Sequence, residues 1–158
     1  MDILTEFFTA IRNGENKEVQ TLLEKEPTLL EIKDSRGSTP LILATYYDHL
    51  SIATLILEQG ADINTKDAAG NTALMGVCFK GYQDIAAMLL EHGADVHSTN
   101  TMGANALIYA VTFGQKDLIK LLIKHGADIH AKDTKGNSAL DHAKIQGNSD
   151  LIKLLGGN

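Results

Sequence analysis

The chain has 158 residues, which is the usual length of one domain. With 44% hydrophobic and 22% charged residues, it can build a core, and this composition excludes the disordered and collagen-like classes. Its formal charge of −6 disfavours nonspecific binding to nucleic acid or to an anionic membrane, because both need a positive protein surface.

A single cysteine, Cys78, can form neither an intramolecular disulfide nor a thiolate metal site. We expect it to be a small buried side chain in a protein of a reducing compartment. No apolar run approaches the ~18 residues of a membrane span, and the first residues lack the basic segment of a signal peptide. These features predict a cytoplasmic protein with no membrane partner.

The N-terminal segment, residues 1–33, predicts a pair of helices. Gly14 separates two apolar rows with helical spacing, and Pro27 closes the pair. The apolar residues are Ile3, Leu4, Phe7, Phe8, Ala10, Val19, Leu22 and Leu23. Since no unit precedes this pair, it is predicted to cap the fold.

Two independent motifs then recur every 33 residues. One is a Gly-Ala-Asp run followed by Ile or Val, and it begins at Gly60, Gly93 and Gly126. The other is a single glycine at the end of a predicted turn, found at Gly37, Gly70, Gly103 and Gly136. A shared period predicts three full units at 34–66, 67–99 and 100–132, with a shorter unit at 133–158.

Each full unit carries signals for a turn and two helices. Asp34 and Gly37 predict a tight turn, Thr39 can cap the first helix, and Pro40 suits its first turn. A second apolar row follows and ends at a glycine, which accepts the left-handed backbone that terminates a helix. The last unit ends early with a polar outer side, as a terminal unit of a stack requires.

This pattern resembles the ankyrin repeat over nearly the whole chain. The family's Thr-Pro-Leu-His run occurs here as Thr39-Pro40-Leu41-Ile42, and later units keep neither the Pro nor the His. The resemblance implies an all-α solenoid of stacked helix-turn-helix units with short β-turn or hairpin loops. It would form one domain of residues 1–158, with 1–33 and 133–158 as the capping repeats.

No signature of catalysis, cofactor binding or metal binding stands out from the repeats. Four of the six histidines form pairs at the repeat period, His92 with His125 and His97 with His130, so periodicity explains them better than a metal does. Ser138 could be imagined with Asp141 and His142 as a catalytic set, but it occupies the helix-cap position of its unit. We therefore expect no catalytic residue, no cofactor and no metal.

The resemblance implies that the chain binds another protein through its turn tips and the inner face of each first helix. Four of the eight aromatic residues stand in the row that this face would present. The residues predicted to bind the partner are Arg12, Arg36, Tyr46, Tyr47, Lys66, Phe79, Lys80, Met102, Thr112, Phe113, Lys135 and Ile145. The alternative is that Phe79 and Phe113 lie between adjacent helix pairs and that Tyr46 covers a neighbouring helix.

Charge suggests the kind of partner. Basic residues lie at or beside the predicted turns, whereas acidic residues belong to the second helices, so an acidic segment with apolar anchors would fit the turn side. The expected function is a monomeric, non-catalytic adaptor or scaffold. A small inhibitor or immunity-type protein that blocks one enzyme is an alternative, and a metal-dependent hydrolase is a more distant one.

Overall fold

The computed structural model describes residues 1–157 as a series of short helices joined by turns. Each of the three units at 34–66, 67–99 and 100–132 contains one helix pair, and a pair lies at each end. The α-helices are α1 (Ile3–Asn13), α2 (Asn16–Lys25), α3 (Pro40–Tyr46), α4 (Leu50–Glu58), α5 (Ala73–Lys80), α6 (Gln83–Glu91), α7 (Ala106–Thr112), α8 (Lys116–Lys124), α9 (Ala139–Ile145) and α10 (Ser149–Leu154). The all-α architecture predicted from the sequence is confirmed, since residues 1–157 hold no strand beyond one isolated bridge between Lys132 and Ser138.

The first helix of each unit begins where the sequence predicts it. The residue before the helix accepts a hydrogen bond from the amide three positions later: Thr39 from Ile42 at 3.2 Å, Thr72 from Met75 at 3.4 Å, Asn105 from Ile108 at 2.9 Å, and Ser138 from Asp141 at 3.2 Å. Each side chain thereby satisfies one of the free amides at a helix start. Later units have alanine at the position of Pro40, and their first helices still begin at the same place.

The N-terminal pair differs from the prediction in two details. Pro27 does not only close the pair, because it also begins a 3-10 helix over Pro27–Glu31. Ile3 and Leu4 belong to α1 but are about two-fifths exposed, at 38% and 40%. Their apolar spacing is helical, yet the other residues of 1–157 leave them partly uncovered.

The helices pack into two rows. The first helices α1, α3, α5, α7 and α9 contact one another in chain order, and the second helices α2, α4, α6 and α8 do the same. Small side chains are part of the core of both rows, since Ala44, Ala53, Ala86 and Ala110 are completely buried. Each unit is thus stabilised mainly by its neighbours, as in other repeat proteins.

Cys78 is part of this core, as the sequence predicts. Its side chain has no exposed surface, and burial raises the pKa of its thiol to about 12. The thiolate is therefore suppressed, and the residue acts as a small apolar side chain. No helix among residues 1–157 combines the length and the apolar character needed to cross a bilayer.

The turns that precede the first helices form a stack of their own. Each closes on itself through an amide that donates to the carbonyl three residues earlier, as in Gly70 to Asp67 at 3.0 Å. Neighbouring turns are joined by backbone bonds from Ala68 to Arg36 at 3.3 Å, from Thr101 to Ala69 at 3.1 Å, and from Thr134 to Met102 at 3.0 Å. The turn stack therefore fixes the tips relative to the first helices.

Candidate functional site

Four exposed aromatic side chains lie along the first helices. Tyr46 and Tyr47 end α3, Phe79 lies near the end of α5, and Phe113 follows α7. The two tyrosine rings meet edge to face at 5.4 Å, and the Phe79 and Phe113 rings meet in the same way at 4.7 Å. We refer to Tyr46, Tyr47, Phe79 and Phe113 as the aromatic cluster.

The aromatic cluster is half-exposed, although aromatic side chains are usually core residues. Exposure is 40% for Tyr46, 41% for Tyr47, 41% for Phe79 and 46% for Phe113. In the alternative, Phe79 and Phe113 would be buried between helix pairs, but the two rings, which contact each other across adjacent units, remain 41% and 46% exposed. Three adjoining units thus each contribute an exposed aromatic ring.

A hollow of about 290 Å³ opens between α3, α5 and α7 beside this cluster. Its lining residues are Ile42, Tyr46, Asp67, Asn71, Thr72, Ala73, Met75, Gly76, Phe79, Tyr109 and Phe113. We call it the central hollow. A second hollow of about 200 Å³ adjoins it and is lined by Arg36, Ser38, Ile42, Leu43, Tyr46, Tyr47 and Asp67.

Several residues of the central hollow were not predicted from the sequence. Tyr109 is one, and its ring stacks at 6.3 Å from that of Phe113. Its hydroxyl donates to Asn71 Oδ1 at 3.1 Å, and Asn100 Nδ2 donates to the same oxygen at 2.9 Å. Another is Gly76, whose missing side chain leaves the floor open, since a Cβ there would meet no atom within 4 Å.

A comparison of equivalent positions in the four units could have found these residues. The relevant position lies nine residues after the first residue of each turn, Asp34, Asp67, Asn100 or Asp133. These positions form a column that contains Leu43, Gly76, Tyr109 and His142. A glycine inside a helix costs stability, about 1 kcal/mol relative to alanine, and such a residue invites a search for the space it leaves.

Among the predicted basic residues, three already have contacts within the chain. Lys80 Nζ lies 4.6 Å from the centre of the Tyr46 ring, a cation–π distance. Lys66 Nζ donates to the Thr99 carbonyl of the next unit at 2.7 Å, and Arg12 lies 3.7 Å from Asp34. Lys66 thus supports the turn stack, while its charge stays at the tip.

The other predicted binding residues are exposed, and one of them, Thr112, directly precedes Phe113 of the aromatic cluster. Met102 and Lys135 are in turns of later units, Thr112 ends α7, and Ile145 ends α9 with 70% of its surface exposed. None of the four lines either hollow. Arg36, by contrast, is exposed at a turn tip and lines the smaller hollow.

The residues imagined as a catalytic set have structural partners. Ser138 and Asp141 form a reciprocal cap at the start of α9, and these hydrogen bonds from Ser138 lower the pKa of the Asp141 carboxyl. The His142 ring bonds Asp133 at 2.7 Å instead of Ser138. Burial opposes ionisation of Asp133, but the amides of Asn137 and Lys135 and the His142 ring outweigh it and lower its pKa.

The histidines follow the helix ends. His92 and His125 terminate α6 and α8, and each ring donates from Nδ1 to the carbonyl four residues earlier, at 2.8 and 2.9 Å. Within residues 1–157, no three His, Cys, Asp or Glu side chains are grouped as metal ligands.

The comparison with protein families settles the relationship that the repeat pattern indicates. The family model for ankyrin repeats, in 3 copies, matches residues 4–67 and 74–158. The chain belongs to the ankyrin repeat family. Ankyrin repeats are generally protein–protein interaction modules and typically non-catalytic. A comparison with curated proteins gives no match.

Proposed function

We propose that this ankyrin repeat protein is a non-catalytic adaptor or scaffold that binds another protein with the aromatic cluster and the adjoining turn tips. The observation that carries the proposal is the aromatic cluster itself. A chain with only eight aromatic residues exposes four of them on one face, across three consecutive first helices.

Physical chemistry supports an interface at this place. Tyrosine and phenylalanine provide a large contact area and lose little side-chain entropy on binding, so they often dominate interface energetics. The rings already contact each other in pairs, and the helices beneath them are fixed by the core. A partner would therefore meet a preorganised surface, which lowers the entropic cost of association.

Charge supports an acidic segment in the partner. Arg36, Lys66 and Lys135 extend the positive charge along the turn tips on the side of the first helices. Acidic side chains of the second helices, such as Asp84 and Glu91, lie in the other row. An acidic segment would be attracted to the tips, and this attraction would weaken as salt concentration rises.

The proposal is tested by comparing proteins that are captured from the source cell by the wild-type chain and by two variants. Tyr47→Ala with Phe113→Ala removes half of the aromatic cluster, and Leu50→Ala removes an apolar side chain of similar exposure, 40%, at the start of α4. Truncation of an interface hot spot commonly costs ~2 kcal/mol or more, so the double variant should lose the specific partner while Leu50→Ala keeps it.

Equal capture by all three proteins would contradict binding at the aromatic cluster. The captured complex also separates the two uses of such a module. A one-to-one complex that abolishes an activity of the partner would indicate an inhibitor, whereas exchange among several partners would indicate an adaptor.

A further inference from the structure

The side chain that opens each turn of the turn stack usually has a side-chain partner. In the third full unit Asn100 contacts the hydroxyl of Tyr109 at 3.1 Å, and in the last unit Asp133 bonds His142 at 2.7 Å. Both partners stand nine residues later, on the first helix of the same unit. In the first full unit Asp34 instead lies 3.7 Å from an arginine of the N-terminal pair.

Asp67 is the exception. The position nine residues later is Gly76, which has no side chain to offer. Asp67 Oδ1 accepts the amides of Ala69 and Asn71 at 2.9 Å each. Within residues 1–157, its second oxygen, Oδ2, accepts no hydrogen bond and pairs with no cation.

This carboxylate lines the central hollow, which also lacks the side chain that would have filled it. Glycine at position 76, where the other units have a larger residue, therefore has two effects. It leaves the hollow open, and it leaves Asp67 Oδ2 without a hydrogen-bond donor among the described residues. The carboxylate is the one ionisable acid among the residues that line the hollow, and no basic residue lines it. A positively charged group would complement it.

Aromatic rings line the rest of the hollow. Tyr46, Phe79, Tyr109 and Phe113 contribute their rings, with Met75 between them. The face of an aromatic ring attracts cations, and Tyr46 already receives one from inside the chain, because Lys80 Nζ lies 4.6 Å from its centre. Lys80 itself does not line the hollow.

We infer that the central hollow binds an arginine side chain of the partner protein, with the guanidinium on Asp67 Oδ2 and the aliphatic stem between the aromatic rings. The inference rests on the proposed function, since the partner supplies the arginine. A guanidinium combines a planar surface that stacks on rings with donors suited to a carboxylate, whereas an ammonium is more strongly hydrated.

The size and surroundings of the hollow agree with a single side chain. Its volume of about 290 Å³ lies at the lower limit of the range for small-molecule sites, which is about 300–1,000 Å³. Arg36 is an internal competitor, because it lines the adjoining hollow together with Asp67, but the two side chains form no ion pair. Lys33, another cation close to Asp67 in the turn stack, donates to the Lys66 carbonyl at 2.9 Å. The partner segment would thus place one arginine in the central hollow, while its acidic residues face the basic turn tips.

The test is an NMR titration of the full ¹⁵N-labelled chain with three probes: N-acetyl-arginine amide, N-acetyl-lysine amide and N-acetyl-norleucine amide. The arginine probe should bind with a Kd on the order of 1–10 mM and shift amides of residues 71–80 and 109–113. Lysine should bind more weakly, and norleucine, which supplies only an apolar stem, should bind most weakly.

Two variants and a control locate the site. Asp67→Asn should weaken arginine binding about tenfold or more, because a charged hydrogen bond is lost. It should fold normally, since Asn100 supports the same turn in the next unit by accepting the amides of Met102 and Ala104. Gly76→Leu should abolish binding by placing a side chain in the central hollow, whereas Asp34→Asn should leave binding unchanged.

Norleucine binding as tight as arginine binding, or an unaffected Asp67→Asn variant, would overturn the inference. Shifts that map outside the central hollow would do the same. These failures differ from failure of the proposed function. If the Tyr47 and Phe113 variant loses the partner and the chain does not bind arginine, the proposed function is supported and the arginine site is not. If the variant keeps the partner and the chain binds arginine, only the arginine site is supported.

Discussion

At the scale of single residues, backbone conformation explains one departure from the repeat pattern. The first helices α5, α7 and α9 are each followed by a glycine with positive φ, at Gly81, Gly114 and Gly147. The equivalent residue after α3 is Asp48, whose φ of 62° makes it the one non-glycine residue with positive φ in the described part of the chain. A side chain in this conformation is strained by its Cβ.

Asp48→Gly is therefore expected to stabilise the protein by about 0.5–1 kcal/mol, because relief of this strain exceeds the added freedom of the unfolded chain. Urea unfolding followed by circular dichroism measures the change. Asp48→Ala is the matched control and should destabilise. A glycine variant less stable than the wild type would show that Asp48 has a favourable contact that outweighs its backbone strain.

At the scale of elements, the turn stack imposes a second demand on its glycines. A Cβ on Gly103 would lie 2.8 Å from the backbone nitrogen of Thr134 in the next turn. Gly136 has a similar φ, 81° against 72°, but it closes the last turn of the turn stack in residues 1–157, and a Cβ there would meet no atom within 4 Å. Glycine in the inner turns thus allows both the positive φ and the close approach of the next turn, whereas in the last turn it allows only the positive φ.

Gly103→Ala should consequently destabilise the protein more than Gly136→Ala. The strain of positive φ is about 1–2 kcal/mol and common to both variants, whereas the close contact adds about 1–3 kcal/mol to the first alone. Urea unfolding of the two variants side by side gives the difference. Equal losses would mean that the turns separate freely and that their spacing is not fixed by the glycine.

Three of the four carboxyls whose pKa is lowered in the described part of the chain belong to the C-terminal unit, and the fourth is Asp2 at the start of α1. Hydrogen bonds from Ser138 lower the pKa of Asp141, and Lys116 lowers the pKa of Asp150 from the neighbouring unit. The pKa of Asp133 is lowered as well. All three carboxyls bind protons less tightly in the folded chain than at the ordinary value of 3.8.

The stabilisation from these carboxyls is fully present above pH 3.8 and is lost as pH falls through the lowered folded values. We expect acid to open α9 and α10 before the central helices. Amide hydrogen exchange at about pH 3 should show faster relative exchange in residues 139–154 than in residues 73–91, with a smaller contrast at about pH 6. Earlier opening of the central helices in acid would contradict this order.

At the scale of the whole molecule, the fold was predictable because its information is repeated. A turn glycine, a helix cap and an apolar row recur at one period. Each unit can therefore be recognised even where one signal is absent, as in the later units, which have alanine at the position of Pro40. The exposure of the aromatic cluster followed from the same frame. The N-terminal pair was less predictable, since Ile3 and Leu4 have the spacing of buried residues but are 38% and 40% exposed.

The central hollow could not be predicted in the same way. It results from the lack of a side chain at Gly76 and from aromatic rings that approach one another across three units. The repeat pattern shows which positions are equivalent, but it does not give the distances between their side chains. Tyr109 was overlooked because it stands in a column of unrelated residues. Met102 and Ile145 are exposed, as the repeat frame implies, and they line neither hollow, so their part in binding stays a prediction.

We propose that the first-helix face, with its aromatic cluster, is the surface that holds the partner protein. Hydrogen–deuterium exchange of the chain, alone and in complex with the protein it captures, measures this most directly. We predict slower exchange on binding in residues 40–47, 73–80 and 106–113 and in the turns before them. Protection confined to the second helices α4, α6 and α8, with the first helices unchanged, would contradict the account.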